Sequence, residues 1–166
     1  MSQPDVSTPA RQTAVNIENN IRHQSHETGY LIASDGRILV SRKGHANRVY
    51  LTQAELMKAN GCTFTHNHPC GYGPSFSDVA LGVHFALKEM RVVTSMFRYG
   101  VGMLQPAQHA PLLREFAPQK GKAMQSCTDD VKRGLLNPKD FSHEALHRTW
   151  LRLAETLGFD YWKEQS

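Results

Sequence analysis

Amphipathic periodicity predicts three helices along the chain. Over residues 10–24, apolar residues recur three and four positions apart, the spacing that places them on one helical face. Residues 77–90 are also predicted to be helical. A final helix is predicted over residues 142–157, with one apolar stripe made of Leu146, Trp150, Leu153 and Leu157. Such a stripe indicates a helix that docks on the rest of the protein.

Runs of β-branched and aromatic residues predict strands between these helices. The clearest case is a β-hairpin in which residues 28–34 and 37–43 flank Asp35-Gly36. This dipeptide suits the positive φ angles of a type I′ turn. Further strands are predicted in three segments, which are residues 47–52, 62–66 and 91–104.

A short helix is predicted between two of these strands. It begins with a capping box from Thr52 to Glu55 and ends at Asn60-Gly61, a pair suited to stopping a helix. The order of elements is then helix, hairpin, strand, helix, strand, helix and strand. It predicts an α/β (α+β) fold in which helices flank a mixed sheet.

The chain is expected to form a single domain. Residues 1–9 are predicted to be a flexible leader, and residues 10–117 form the domain. Residues 118–141 are polar and are predicted to form a connection with at most a short helix. Residues 142–166 contain the final helix and the aromatic tail "FDYWKEQS". This tail has three possible roles: packing on the domain, pairing with another subunit, or binding a client.

Composition narrows the class of protein. The 166 residues are 40% hydrophobic and 20% charged, which favours a globular domain over a disordered chain. No run approaches the roughly 18 apolar residues of a membrane span, and "MSQPDVSTPARQ" lacks the apolar core of a signal peptide. The odd count of cysteines, three in all, suits a reducing compartment, so we expect a cytoplasmic protein.

The formal net charge of +4 raises the question of nucleic-acid binding. The densest basic stretches, residues 40–48 and 132–139, contain no interleaved aromatic residues. A solvated basic surface is therefore favoured over a nucleic-acid interface.

The segment "CTFTHNHPCGYGPSFSDVALG", residues 62–82, contains the candidate chemistry. In an extended strand, His66 and His68 share one face with Cys62 and Phe64. Pro69 ends the strand and places both imidazoles at its tip.

Asp78 follows at the first turn of the next predicted helix. His66, His68 and Asp78 form a plausible ligand set for zinc with an open fourth position, which is typical of a catalytic site. The hydroxyl of Ser75 is a candidate to stabilise an oxyanion.

A zinc-bound water also needs a general base. Glu27, just before the predicted hairpin, is the first candidate, and Glu55 and Glu18 are alternatives.

Other interpretations of the same residues remain open at this stage. Ser75 and Asp78 also fit a capping box at a helix N-terminus. Cys62 and Cys70 could join the histidines in a structural zinc site, although their spacing fits no common zinc finger. The tripeptide "HNH" is not the nuclease signature of that name, whose residues are spread along a ββα unit.

Glu27, "HNHP" and "SFSD" together resemble the JAMM motif of the JAB/MPN (MPN-plus) zinc metalloproteases. That motif is a glutamate, a His-x-His pair, and Ser-x-x-Asp after a short loop. The form found here is similar to prokaryotic branches, which include RadC-like proteins and JAB-like domains of phage- and toxin-associated genes. The resemblance covers about residues 25–105. Six residues separate His68 from Ser75, one fewer than in the commonest form of the motif.

The resemblance implies an MPN/JAB-like sheet flanked by helices and a zinc ion held by His66, His68 and Asp78. Glu27 would be the general base, and Ser75 would steady the tetrahedral intermediate. The implied reaction is hydrolysis of a peptide or isopeptide bond, often to a ubiquitin-like tail, so the expected partner is a protein or peptide.

Two hypotheses from other classes compete with this one. The chain could be a non-catalytic MPN-like interaction module of a phage or toxin system. It could also be a RadC-like protein associated with DNA, in which case salt-dependent DNA binding is expected.

Overall fold

The computed structural model of the protein describes residues 4–166, so residues 1–3 of the expected leader lie outside the described part. Helix α1 spans Pro9–Ile21. It begins where the Thr8 hydroxyl accepts a hydrogen bond of 3.2 Å from the Arg11 N–H, and Pro9 occupies the first turn, where its missing N–H costs nothing. The predicted first helix is confirmed, and it ends three residues early.

Strands β1, Thr28–Ile32, and β2, Ile38–Lys43, form the predicted antiparallel hairpin. The predicted type I′ turn is wrong, because that turn needs two positive φ angles and only Gly36 has one, at 88°. The Gly36 N–H donates to the Ala33 carbonyl at 2.9 Å. The hairpin therefore turns over a longer loop with glycine at its left-handed position.

The segment after β2 leaves the sheet. The strand predicted over residues 47–52 is wrong, since the segment contains only an isolated bridge between His45 and Arg48. The side chains of Val49 and Leu51 pack on the apolar core instead. Helix α2, Gln53–Leu56, then begins with the predicted capping box at Thr52.

The centre of the sheet forms from the next elements. Strand β3, Thr63–Asn67, runs parallel to β4, Glu89–Val93, and helix α3, Phe76–His84, connects them. The helix predicted over residues 77–90 ends at His84 because the chain must turn into β4. It turns through Ala86, which has a positive φ of 51°. Strand β5, Phe97–Gly102, follows β4 antiparallel to it.

The polar connection predicted over residues 118–141 is wrong. Helix α4, His109–Lys132, runs through most of it, with Pro118 inside the helix. Its buried side is a narrow stripe formed by Leu112, Gln119, Ala123 and Cys127. This stripe packs along α5, Phe141–Leu157, which is the predicted final helix.

The aromatic tail forms a sixth strand. Strand β6, Asp160–Gln165, pairs antiparallel with β5, so the tail packs on its own domain. The sheet order is β2-β1-β3-β4-β5-β6. This mixed sheet with five α-helices confirms the predicted α+β class.

The sheet has a different kind of cover on each face. Helix α1 packs on one face with Ile32 and Val93, whereas α3, α4 and α5 cover the other face over Leu31, Phe64 and Met90. Within residues 4–166, no helix combines the length and apolar character needed to cross a membrane.

A buried ion network lies on the α1 face. The Glu18 carboxylate is fully buried and pairs with the Arg91 Nε at 2.7 Å and the Arg98 Nε at 3.0 Å. The Thr65 hydroxyl donates to the same carboxylate at 2.9 Å. Because β3 residues alternate between faces, Thr65 faces this network while its neighbour His66 faces the opposite side.

Candidate metal centre

The two histidines predicted to face the same side do so. The ring of Phe64 lies 5.2 Å from that of His66, and His66 lies 4.7 Å from His68, measured between centroids. Both imidazoles are buried, and their Nε2 atoms are 2.9 Å apart. Gly29, opposite His66 on β1, leaves room for this stack, since a Cβ atom there would lie 2.8 Å from the Phe64 ring.

Asp78 reaches this pair from the first turn of α3. One carboxylate oxygen, Oδ1, lies 3.4 Å from the His66 Nε2, and Oδ2 lies 3.5 Å from the His68 Nε2. The carboxylate also accepts a hydrogen bond of 2.7 Å from the Ser75 N–H, and the Ser75 hydroxyl accepts one of 3.2 Å from the Asp78 N–H. The capping box and the approach to the imidazoles therefore coexist, and the shorter loop does not prevent either.

Glu27 approaches the pair from the start of β1. Its side chain is buried, and Oε1 lies 3.9 Å from the His68 Nε2. Glu27, His66 and His68 each offer a ligand atom within 4.8 Å of the others, and they are the one such group of three found among residues 4–166. This group could hold a metal ion.

The alternative glutamates point elsewhere. Glu18 lies across the sheet in its network with Arg91, and Glu55 pairs with Arg42 at 2.6 Å and caps α2. Of the three glutamates considered, Glu27 alone belongs to the group of potential ligands.

The distances between ligand atoms fit one small cation. Nitrogen and oxygen atoms bound to a tetrahedral zinc ion at about 2.0–2.2 Å lie roughly 3.3 Å from one another. The two Nε2 atoms are 2.9 Å apart, and each lies 3.4–3.5 Å from a different oxygen of Asp78. Asp78 therefore spans the pair with both oxygens, whereas the group that needs one atom per residue contains Glu27 and not Asp78. Glu27 lies somewhat farther out, at 3.9 Å from the nearest imidazole nitrogen.

Backbone carbonyls fix the orientation of His68. Its Nδ1 lies 3.0 Å from the Tyr72 carbonyl and 3.2 Å from the Gly73 carbonyl. A neutral imidazole in this position donates its Nδ1–H and keeps the lone pair of Nε2 free for the centre.

Burial and neighbouring charges shift the pKa values of the two imidazoles in opposite directions. Burial and the nearby His66 lower the pKa of His68 to about 4. Burial also opposes protonation of His66, but the charges of Asp78 and Glu27 outweigh it and raise the pKa of His66. His68 is therefore neutral at neutral pH and offers a free nitrogen lone pair, whereas His66 keeps its proton to a higher pH than an ordinary histidine does.

The pKa values of the carboxyl groups of Glu27 and Asp78 are also shifted in opposite directions. Burial raises the pKa of Glu27. Burial opposes ionisation of Asp78 as well, but His66, His68 and the bond with Ser75 hold the pKa of Asp78 well below its usual range. Two carboxyl groups shifted in opposite directions suit one permanent anion and one proton acceptor.

Asn67, between the two histidines on β3, links that strand to the segment that carries Glu27. Its fully buried side chain accepts a hydrogen bond of 2.7 Å from the Thr28 N–H and donates one of 2.9 Å to the His26 carbonyl. These two backbone groups flank Glu27. The sequence pattern did not reveal this role, although a buried position for the middle residue of "HNH" follows from its place in a central strand.

Helix α5 braces the loop that orients His68. The Trp150 Nε1–H donates to the Pro74 carbonyl at 2.8 Å, and the His143 ring stacks on Tyr72 with centroids 4.2 Å apart and planes 4° from parallel. The stripe predicted on this helix included Trp150, but its contact with the loop could not be derived from periodicity.

A cleft of about 660 Å³ opens over the centre, and Glu27, His66, His68, Ser75 and Asp78 all line it. Ser75 is exposed there, with its hydroxyl at the N-terminus of α3. Neither Cys62 nor Cys70 belongs to the group of potential ligands. Cys62 donates to the Lys58 carbonyl instead, so the alternative of a cysteine-containing zinc site is wrong.

Comparisons with protein-family models, with curated proteins and with solved structures find no match to this chain. The functional conclusion therefore depends on the geometry of the centre.

Proposed function

We propose that the protein is a zinc-dependent hydrolase of peptide or isopeptide bonds. The observation that carries this proposal is the convergence of two imidazoles, Asp78 and Glu27 at the floor of a cleft. The order of these residues also resembles the JAMM motif, which supports the same reaction class.

In this proposal, His66, His68 and Asp78 bind the ion and Glu27 does not. Asp78 lies closer to the imidazoles than Glu27 does, and its lowered pKa keeps it anionic. Three protein ligands of this kind leave the fourth position of zinc open, as catalysis requires.

When bound by these residues, the ion would supply a water molecule with a pKa near 7 and would polarise the substrate carbonyl. Glu27 accepts the proton from the attacking water and transfers it to the leaving amine nitrogen, a role suited to a carboxylate whose pKa is raised by burial. The exposed hydroxyl of Ser75 donates a hydrogen bond to the oxyanion that develops on the carbonyl oxygen.

The proposed partner is a protein or peptide, with an isopeptide-linked ubiquitin-like tail as one form of it. The three cysteines are free thiols, which supports a reducing compartment such as the cytoplasm.

The test is a Glu27→Gln variant assayed against unmodified peptides and isopeptide-linked lysine substrates, with products read by mass spectrometry. We expect the parent to hydrolyse at least one class. We expect the variant to lose about 100-fold or more of the rate while retaining zinc, because only the proton acceptor is removed. Glu155→Gln, at an exposed site on α5, is the matched control and should keep the parent rate.

Equal rates for the parent and Glu27→Gln would contradict the proposed base. A zinc-loaded parent that cleaves no substrate of either class would favour a non-catalytic interaction module instead.

A further inference from the structure

We propose that the cleft binds an extended peptide segment in which a bulky apolar side chain lies next to an acidic one. This inference rests on the proposed function, since it assigns a substrate class to the same site. The residues that support it form the walls of the cleft and are not part of the metal centre.

The walls are mainly apolar and come from distant parts of the chain. Val49 and Leu51 line the cleft from the segment before α2, and Phe76 lines it from α3. Helices α4 and α5 complete it with Phe116 and Leu146. The Phe76 and Phe116 rings pack 4.7 Å apart, so the apolar surface is continuous between α3 and α4. Binding of a bulky apolar side chain here would be favourable, because it would remove apolar surface from water.

The charged side chains on the walls of the cleft, apart from those of the metal centre, are positive. Outside Glu27, the histidines and Asp78, the charged side chains that line the cleft are Arg48 and Lys120. The Arg48 guanidinium lies over the Tyr50 ring, with its carbon 5.2 Å from the ring centroid, and both side chains line the cleft. Lys120 lies one helical turn after Phe116 on α4 and is exposed. Two cations beside an apolar surface complement a ligand that carries a carboxylate next to an apolar group.

The floor of the cleft argues for a peptide over a nucleic acid. Glu27 and Asp78 are acidic and line the same cleft as the cations, so the closely spaced phosphates of a nucleic acid would meet like charge. A peptide can place a neutral amide at the centre and a single carboxylate near Arg48 or Lys120.

Binding can be separated from cleavage by using the zinc-loaded Glu27→Gln variant. Fluorescence anisotropy would measure its affinity for three labelled short peptides that differ only at two adjacent positions, which are Phe-Glu, Phe-Lys and Ala-Glu. We expect Phe-Glu to bind about tenfold more tightly than either of the others, because it alone satisfies both the apolar wall and the cations. Added salt should weaken Phe-Glu binding and not Phe-Lys binding.

Charge reversal provides the matched comparison. Arg48→Glu or Lys120→Glu, each in the Glu27→Gln background, should remove the preference for Phe-Glu over Phe-Lys. Lys122→Glu should keep it, because Lys122 is exposed on the same helix and does not line the cleft. Circular dichroism would verify that all variants are folded.

Equal affinities for the three peptides would overturn the inference, and so would a single-stranded oligonucleotide that binds more tightly than Phe-Glu. Failure of the proposed function looks different, because the parent would then bind no zinc or cleave no peptide whatever the peptide preference of the cleft.

Discussion

Single side chains determine the geometry of the centre. Asn67 holds the backbone on both sides of Glu27, and the Tyr72 and Gly73 carbonyls orient His68. Each contact joins a residue of the centre to a backbone group, so a substitution can move a ligand or the base without removing it.

Asn67→Asp tests the link to Glu27. The aspartate keeps an acceptor for the Thr28 N–H but loses the donor to the His26 carbonyl, leaving a buried oxygen against an oxygen. We expect a loss of about 1–3 kcal/mol in the free energy of unfolding, measured by urea denaturation. The hydrolysis rate should fall more than the zinc affinity, because Glu27 is displaced while both imidazoles remain.

Asn20→Asp is the control for this substitution, because Asn20 is exposed and its amide bonds only within α1. It should change neither stability nor rate. An Asn67→Asp variant that matched the parent in both would show that the Asn67 bonds do not position the base.

The shifted imidazoles predict how zinc affinity depends on pH. The pKa of His66 is raised above 6.5 in the metal-free protein, so zinc must displace a proton from it below that pKa. Affinity should therefore rise with pH through the pKa of His66. Calorimetry near pH 6 in buffers of different protonation enthalpy should detect proton release on zinc binding, because a zinc-bound water with a pKa near 7 is still largely protonated there and His66 is the source.

His68, unlike His66, should release no proton when zinc binds in that experiment. Its pKa of about 4 means that it is already neutral in this range and should contribute no proton. Absence of proton release near pH 6 would contradict the raised pKa of His66.

The sequence predicts the positions of the candidate ligands better than the contacts that hold them in place, and strand geometry explains the difference. Parity alone places His66 and His68 on one face, and the capping box predicts where Asp78 lies. The bonds of Asn67 join segments about forty residues apart, and no local pattern encodes such a contact. The turn at Asp35-Gly36 was mispredicted because the dipeptide fits more than one loop geometry.

At the scale of elements, the pairing of α4 with α5 was the main feature missed. The polar character of residues 118–141 suggested a connection, yet Leu112, Ala123 and Cys127 lie on one buried side of α4. The Arg148 guanidinium also joins the helices by pairing with the Asp130 carboxylate at 2.7 Å. Tertiary packing outweighs weak local propensity here. A stripe in which one leucine is joined by a glutamine, an alanine and a cysteine is also less visible in a sequence than one of leucines.

Trp150→Phe tests whether α5 supports the centre. Phenylalanine keeps most of the buried ring but cannot donate to the Pro74 carbonyl, so the loop that orients His68 should loosen. We expect zinc affinity to fall by about tenfold, which is the lower end of the range seen when a contact that holds a metal ligand in place is lost. The visible absorption spectrum of the cobalt-substituted protein should also change.

Trp162→Phe is a matched control on the opposite face of the sheet, where the Trp162 Nε1–H donates to Glu89 at 3.2 Å. It loses a comparable hydrogen bond but should leave metal affinity and the cobalt spectrum unchanged. Similar effects of the two substitutions would indicate a general loss of stability and no specific support of the loop.

At the scale of the whole molecule, the centre joins elements from across the fold. Glu27 lies directly before β1, His66 lies in β3 with His68 directly after that strand, and Asp78 lies in the first turn of α3. The α+β class was predictable because the helical and strand periods alternate along the chain. The sixth strand was not, since the aromatic tail was equally compatible with pairing to another subunit.

Because the proposed ligands come from β3, the residue that follows it and α3, zinc binding should stabilise the folded chain. At a free zinc concentration about 100 times the dissociation constant, the gain is about 2.7 kcal/mol. This corresponds to a rise of roughly 5–10 °C in the melting temperature for a domain of this size, which differential scanning fluorimetry would detect. An unchanged melting temperature under these conditions would contradict a preference of zinc for the folded state.

The most direct measurement is a calorimetric titration of chelator-treated protein with zinc at neutral pH. The parent should bind one zinc per chain, and Asp78→Asn should bind it at least about tenfold more weakly because an anionic ligand is lost. Asp129→Asn, at an exposed site on α4, should bind zinc as the parent does. Absence of zinc binding by the parent, or equal affinity in Asp78→Asn, would contradict a zinc centre built from His66, His68 and Asp78.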